Sequence, residues 1–139
     1  MFIVFCFESL SIAQTAHQWA KYGNKSFEEK DYYGASLYFK NALTADTLNL
    51  EIINKYAAAL RLFNDYAQAE KYYRYLLQLD KNKAYPETVF WLATLQKNNA
   101  KYQDARKNFL KYKNTAEDKK VTFIKNQFKK LVPVNMHRN

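Results

Sequence analysis

The feature that most constrains the fold is a pattern of large and small apolar residues that recurs about every 34 positions. In the stretch 54–80, NKYAAALRLFNDYAQAEKYYRYLLQLD, apolar residues fall three and four apart, stop at Asn64-Asp65 and then resume. That spacing predicts two amphipathic helices joined by a tight turn. A single helical hairpin of this size cannot bury both of its faces, so further copies should stack against it.

Two further copies of the pattern flank this hairpin. One lies 34 residues upstream and the other 36 residues downstream, and the two extra residues fall in the connection 81–85. Paired helices pack about 8–10 Å apart, so Gly or Ala is expected at the closest crossing points and rings beside them. The matching positions are Trp19, Tyr22, Gly23, Ala35, Phe39 and Ala42; Ile53, Tyr56, Ala57, Ala69 and Tyr73; and Val89, Leu92, Ala93, Ala105 and Phe109.

This pattern resembles the tetratricopeptide repeat (TPR), a helical hairpin of 34 residues. The first copy is nearest to the family pattern, with W-x2-Y-G followed by Ala35, Phe39 and Ala42. The resemblance implies an all-α fold, in which three TPR hairpins form a right-handed α-solenoid over residues 14–119, with repeats at about 16–49, 50–83 and 86–119. The helices are predicted at 15–29, 32–45, 49–63, 66–80, 86–98 and 102–115.

Residues 120–139 are predicted to hold a capping helix and a tail. An apolar stripe at Val121, Ile124, Phe128 and Leu131 favours a seventh helix over 118–132, which would cover the end of the last repeat. Within each repeat, the family usually has Gly at the turn, where the backbone is left-handed. Here that position holds Lys30, Asn64 and Ala100.

Residues 1–13 are predicted to be a signal peptide. The run Met1–Phe7 is almost entirely apolar, and Ser11 and Ala13 are small residues at the positions that precede a cleavage site. Two features oppose this interpretation, because no basic residue precedes the run and Glu8 interrupts it. The alternative is a hydrophobic N-terminal segment that packs on the first repeat. The run is too short for a transmembrane helix, which needs about 20 apolar residues.

Composition argues against catalysis and cofactor binding. The chain has only two Gly and two Pro, so a Gly-rich phosphate loop is not supported. His17 and His137 are the only histidines, and neither has Cys or paired carboxylates at ligand spacing, so no metal site is predicted. We therefore expect no enzyme activity and no cofactor. The repeat tyrosines are read as core packing rather than as base-stacking platforms: Tyr22, Tyr56, Tyr66, Tyr73 and Tyr102.

The resemblance implies a concave groove lined by the first helix of each repeat, and this groove is the candidate partner-binding site. One TPR subclass clamps the terminal carboxylate of chaperone tails with five residues, of which only Asn24 is matched here. The other four positions hold Ala20, Lys55, Glu87 and Trp91, so a chaperone-tail receptor is not expected. The groove residues predicted to contact a partner are His17, Asn24, Phe27, Asn54, Lys55, Arg61, Phe90, Trp91 and Lys97.

A narrower resemblance concerns the region 14–115. The N-terminal segment ends in S-I-A-Q, the second repeat reads RLFNDYAQAEKYYRYLLQLD and the third reads PETVFWLATLQKNNAKYQDARKNFLKYK. This combination resembles the N-terminal TPR region of envelope proteins from bacteria with type IX secretion. In those proteins the repeats precede a β-propeller and an OmpA-type peptidoglycan-binding domain, and neither is visible in this sequence. This resemblance implies a non-catalytic scaffold in the periplasm or cell envelope that binds another protein or an extended peptide; a cytoplasmic location is the alternative.

The net charge of +9 leaves a second function open. Basic residues are dense near the C-terminus, so an adaptor for acidic polymers or surfaces is the alternative to groove binding. Nucleic acid is not the expected partner, because the phenylalanines between the charges are predicted to belong to the core of the capping helix. The sequence does not fix the oligomeric state.

Overall fold

The computed structural model describes the backbone of residues 3–131 and the side chains of residues 15–119, 122 and 126. These residues form six helices and no strand, and each helix packs against the next one along the chain. The predicted all-α fold is confirmed. The helices are α1 (Ile3–Glu28), α2 (Tyr32–Ala45), α3 (Leu50–Leu62), α4 (Tyr66–Asp80), α5 (Thr88–Asn98) and α6 (Tyr102–Leu131).

The three turns within the hairpins share one backbone geometry. Lys30, Asn64 and Ala100 all have positive φ, at 63°, 71° and 60°, as predicted from the family's glycine position. In the first two turns the next residue is an aspartate that caps the following helix: Asp31 accepts from the Gly34 amide at 2.9 Å, and Asp65 accepts from the Gln68 amide at 3.2 Å. These caps satisfy amides that the helix itself leaves unpaired.

Small residues set the distance between the helices of each hairpin. A Cβ atom on Gly23 of α1 would lie 2.6 Å from Cε1 of Phe39 on α2, a distance that no side chain tolerates. Ala57, Ala69 and Ala93 are fully buried at corresponding crossing points of the later hairpins. The close approach of these backbones brings the neighbouring large side chains into one core. Its largest fully buried members are Tyr73, Phe39, Ile53, Leu76, Leu95 and Val89.

The tyrosines predicted as core do not all lie in it. Tyr56 and Tyr73 are buried and Tyr66 is half-buried, whereas Tyr22 and Tyr102 are exposed, so the prediction is wrong for these two. Tyr22 belongs to the first hairpin and Tyr102 to the third. Within residues 15–119 no further hairpin packs on either end of the stack, and the outward side of each ring is therefore left open.

The predicted break between a sixth and a seventh helix is absent. α6 runs without interruption from Tyr102 to Leu131, so the segment predicted as a separate capping helix is the C-terminal half of α6. The intervening sequence KNTAEDKK contains neither Gly nor Pro, and nothing in it ends a helix. The contacts of Val121, Ile124, Phe128 and Leu131 lie outside the described side chains, as does the tail 132–139, so the capping role stays a prediction.

α1 begins at Ile3, twelve residues before the predicted start. Its first turns therefore include most of the predicted signal peptide, whose side chains lie outside the described residues. The signal peptide and its cleavage after Ala13 remain predictions. α2 and α4 have the predicted bounds, and α3 and α5 differ from prediction by one or two residues at their ends.

Candidate functional site

The described side chains divide into two faces. α1 and α3 line one cavity together, and Arg61 of α3 contacts Trp91 of α5, so the first helices of the three hairpins share what we call the odd-helix face. α2 and α4 line a separate groove on the even-helix face. The sequence placed the candidate site on the first helix of each repeat, which corresponds to the odd-helix face.

The larger feature of the odd-helix face is a cavity of about 440 Å³ between α1 and α3. Three of the predicted groove residues, His17, Asn24 and Lys55, lie together in its wall. His17 is exposed, and Asn24 and Lys55 are half-buried, so all three can reach a bound molecule. The complete lining is Ala16, His17, Ala20, Lys21, Asn24, Asp46, Asn49, Glu51, Ile52 and Lys55.

The charges around this cavity are balanced. Lys55 donates to Glu51 at 2.7 Å, one turn earlier on α3, and the hydrogen bond and positive charge of Lys55 lower the pKa of Glu51. Asn49 donates to the Asp46 carboxylate at 3.1 Å, and Lys21 supplies a second cation. Two cations and two carboxylates beside two amides offer donors and acceptors in similar number, which suits a polypeptide better than a single anion.

A second cluster of predicted residues joins α3 to α5. The guanidinium carbon of Arg61 lies 3.7 Å from the centre of the Trp91 ring, a stacked cation–π contact. Trp91 packs on the core, and Phe90 meets it edge-to-face at 5.1 Å. The Nε atom of Arg61 is buried and has no hydrogen-bond partner within the described residues. The half-buried Arg61–Trp91 stack therefore presents an aromatic and cationic surface.

Arg61 also approaches the second hairpin's central tyrosine. Burial raises the pKa of Tyr73, and a hydrogen bond and the charge of the Arg61 guanidinium act in the opposite direction. Arg61 is therefore held between the Trp91 face and the buried Tyr73 hydroxyl. Its position depends on α4 and α5 as well as on its own helix.

Two of the predicted residues, Phe27 and Phe90, are engaged in packing within their own hairpins. Phe27 meets Tyr32 edge-to-face at 5.3 Å across the first turn and packs on the core. Phe90 is turned toward α6, where its ring lies 5.8 Å from Phe109 and 5.4 Å from Tyr112. Both phenylalanines are thus occupied by packing inside their own hairpins.

The last two predicted residues contribute surface rather than a shaped site. Asn54 of α3 is half-buried and outside the cavity lining, and Lys97 is exposed near the end of α5. Lys97 occupies the same repeat position as Phe27 and Arg61. These three side chains differ completely in chemistry, so any contact at this position changes along the face.

Sequence reasoning missed the contribution of the connection between α2 and α3. Asp46 and Asn49 close one end of the cavity, although the groove was mapped onto helices alone. Asn49 caps α3 by accepting from the Ile52 amide at 3.2 Å. An Asn one residue before an apolar helical pattern is the usual signal for such a cap, and it could have placed this connection at the cavity.

The described residues contain no candidate metal centre and no membrane span. No three His, Cys, Asp or Glu side chains come close enough together in this part of the chain to hold an ion. None of the helices described is both long and apolar enough to cross a bilayer.

No family model matches the chain, and no curated protein matches it in sequence. Its fold, however, is similar to solved TPR domains. The TPR domain of OM64 from Arabidopsis superposes with a TM-score of 0.66 at 18% identity, covering 73% of this chain and 82% of that one.

Two TPR domains of Spaghetti (RPAP3), each solved with the HSP90 peptide SRMEEVD, are also similar. The first gives a TM-score of 0.64 at 21% identity over 72% of this chain and 78% of its own. The second gives 0.66 at 24% identity over 76% of this chain and 95% of its own. The chain therefore has the fold of a TPR domain.

Proposed function

We propose that this chain is a non-catalytic interaction module that binds a segment of another protein on its odd-helix face. The observation that carries the proposal is the alignment of two features on that face: the 440 Å³ cavity between α1 and α3, and the Arg61–Trp91 stack between α3 and α5. A polar cavity beside an aromatic and cationic surface suits a peptide that alternates polar and apolar groups. The two Spaghetti domains, which have a similar fold and are bound to a peptide, support peptide binding by this chain.

The partner need not carry the acidic chaperone tail seen with the Spaghetti domains. Of the five positions of the chaperone-tail clamp, only Asn24 has the clamp residue, and Glu87 stands where a cation is needed. Lys55 is paired with Glu51, so its charge is partly neutralised before any ligand arrives. The cavity therefore lacks the concentration of positive charge that a terminal carboxylate requires.

We further propose that the module works in the bacterial cell envelope, with the periplasm as its compartment. The support is the predicted signal peptide and the similarity of residues 14–115 to the repeat region of type IX secretion-associated envelope proteins. Mass spectrometry of the protein from its native cell tests this directly. Cleavage after Ala13 is expected, and an intact Met1 on the dominant species would contradict both the signal and the location.

The binding proposal is tested by affinity capture from an envelope extract of the native cell. A His17→Ala, Asn24→Ala double variant removes two polar groups from the cavity wall without touching the core. A Gln103→Ala, Asn114→Ala variant, which removes two exposed polar groups of α6 and leaves its lysines in place, is the matched control. The partner recovered by the wild type should be retained by the control and reduced at least about fivefold by the cavity variant. Equal recovery by all three proteins would show that the odd-helix face is not the binding site.

A second candidate function rests on the charge of α6. This helix carries nine basic and three acidic residues, so it holds six of the nine net positive charges of the chain. Those whose side chains are described, including Lys107, Lys111 and Lys113, are exposed. An adaptor for acidic polymers would work through this helix.

Salt separates the two candidate functions. Binding to a polyanion column should fall steeply as salt rises, and it should weaken in a Lys107→Glu, Lys111→Glu, Lys113→Glu variant. Elution of the wild type and the variant at the same salt concentration would exclude this candidate.

A further inference from the structure

The even-helix face carries a groove that the proposed function does not use. It consists of a cavity of about 430 Å³ at the junction of the first two hairpins and a smaller one of about 310 Å³ beside it. The two cavities are adjacent, because both are lined by Lys40 of α2, Tyr56 of α3 and Tyr72 of α4, and we call them together the channel. Tyr56 and Tyr72 form its floor, with their rings edge-to-face at 4.6 Å.

One rim of this channel is apolar and open to solvent. Tyr33 and Phe63 pair at 5.0 Å between ring centres, yet they remain 54% and 45% exposed, and Leu37 one turn further along α2 is 46% exposed. On the surface of a soluble protein, large apolar side chains are normally scattered singly rather than grouped in one patch. Their grouping around a tyrosine floor marks a docking surface.

The next junction has different chemistry at the same repeat position. There, Glu70 stands in place of Ser36 and Asn99 in place of Phe63. The Glu70 carboxylate accepts from Asn99 at 2.7 Å and from Lys101 at 2.9 Å, so an ionic link joins the hairpins beside a cavity of about 420 Å³. At the first junction no ion pair between described residues joins the hairpins.

The charges beside the channel indicate the chemistry of its occupant. Lys40 and Lys71 lie in its lining, both are exposed, and neither forms an ion pair with any described residue. Asp65, the one carboxylate in the lining, is already engaged in capping α4. The available charge is therefore positive, and its complement is a carboxylate flanked by apolar side chains.

We propose that the channel between α2 and α4 binds an extended acidic segment of a partner protein. Large apolar side chains of the segment would sit on Tyr56, Tyr72 and the Tyr33–Phe63 pair, and its carboxylates would meet Lys40 and Lys71. This surface is separate from the odd-helix face, so the module can hold two protein segments at once.

The probe is the peptide acetyl-Glu-Phe-Glu-Leu-Glu-Phe-Glu-amide, titrated into isotopically labelled protein while backbone amide signals are followed by NMR at about 0.15 M salt, where distant charges are screened. Amides of residues 33–40 and 63–72 should shift and saturate, while those of residues 17–24 stay in place. Two control peptides separate charge from apolarity: one has Lys for every Glu, and the other has Ser for Phe and Leu. Both should bind at least about tenfold more weakly.

Paired variants place the binding on this channel. Lys40→Glu, Lys71→Glu should weaken the acidic peptide at least about tenfold. Lys25→Glu, Lys83→Glu makes the same change in net charge at exposed positions that line neither cavity and should alter affinity less than about twofold. Phe63→Ser should weaken binding of the acidic peptide, and the amide signals of residues 17–24 should again show no shift. Equal losses in both charge variants, shifts confined to the odd-helix face, or no shift with millimolar peptide would each overturn the proposal. Capture by the odd-helix face is tested with different variants, so the two proposals can fail separately.

Discussion

The two junctions between consecutive hairpins solve the same packing problem with opposite chemistry. At the first junction, Tyr33 of α2 contacts Phe63 at the end of the second hairpin's first helix, and the contact is aromatic and open. At the second junction, Glu70 of α4 is 4% exposed and joins the turn between α5 and α6. Its carboxylate receives Asn99 at 2.7 Å and Lys101 at 2.9 Å on both oxygens. The difference shows that this position does not determine the fold.

What both junctions share is the backbone geometry of the turn and the small residues at the helix crossings. Asp65 and Lys101 occupy the same place in their turns, and each donates its amide to a carbonyl five residues earlier, at 2.9 Å and 2.7 Å. Asp65 caps the helix that follows it, but a lysine has no acceptor and cannot do so. At the second junction, therefore, the side chain at this position binds Glu70 of the preceding hairpin instead of capping its own helix.

The largest expected effect comes from removing the ionic link. Glu70→Ala deletes a nearly buried carboxylate with three partners, and the free energy of unfolding should fall by about 2 kcal/mol, because hydrogen bonds to a charged group stabilise by about 1.5–3 kcal/mol. A still larger loss is not expected, since Lys101 and Arg74 are about half exposed and water can solvate them.

The control for that prediction is Ser36→Ala, the equivalent position of the first junction. Ser36 donates only to the Tyr33 carbonyl of its own helix, at 2.7 Å. Urea unfolding should show a change of less than about 0.5 kcal/mol, as for a local bond that does not join the hairpins. Equal losses of stability in Glu70→Ala and Ser36→Ala would mean that this position contributes equally to the stability of both junctions.

The same link should make stability depend on pH. Burial acts to raise the pKa of Glu70, but hydrogen bonds from Lys101 and Asn99 and the charges of Lys101 and Arg74 outweigh it, so the pKa lies below its ordinary value of 4.5. A carboxylate with a lowered pKa stabilises the fold above its unfolded pKa and loses that contribution as pH falls through its folded pKa. The gap between wild type and Glu70→Gln should be about 1.5 kcal/mol at pH 7 and should shrink below about pH 4.5. A gap that is the same at pH 7 and pH 3 would contradict this account.

The helical periodicity made most of the fold predictable. The period of 34 residues placed the hairpins, and the positions of Lys30, Asn64 and Ala100 gave the left-handed turns correctly. The errors fall at the ends of the stack. Repeat positions are buried by the neighbouring repeat, so a pattern averaged over repeats overestimates burial for Tyr22 and Tyr102, which lack one neighbour in the described structure. The unbroken α6 was missed because a second apolar stripe was taken to need a separate helix.

The candidate site was less predictable because its pieces come together across repeats. His17, Asn24 and Lys55 could be assigned to one cavity from their repeat positions. Glu70 and Lys101 are 31 residues apart in the sequence. This separation fits no helical spacing, so no local sequence pattern predicts their ion pair. The repeat position of Phe90 predicts that it lies in the groove. In the structure its ring instead packs against Phe109 and Tyr112 of α6.

A smaller effect is expected at the aromatic junction. Phe63→Ala removes one ring of the Tyr33–Phe63 pair, and the free energy of unfolding should fall by about 1 kcal/mol, since aromatic pairs contribute about 0.5–1.5 kcal/mol beyond their buried area. Because the ring is 45% exposed, little core volume is lost. A loss of stability as large as that of Glu70→Ala would show that the Phe63 ring is buried at the first junction in solution. Leu62→Ala, one residue earlier and also exposed but in no ring pair, is the control.

The smallest effect tests the turn that carries the ionic link. Ala100 has φ of 60°, a conformation that costs an alanine about 1–2 kcal/mol, whereas glycine adopts it freely but has more entropy in the unfolded chain. Ala100→Gly should therefore raise the free energy of unfolding by only about 0.5 kcal/mol. Asn64→Gly, at φ 71° in the preceding turn, should change it less, because asparagine tolerates this region. If Ala100→Gly instead destabilises the protein while Asn64→Gly does not, the alanine is needed to hold Asn99 and Lys101 against Glu70. The second junction would then depend on a stiff turn that the first junction does not require.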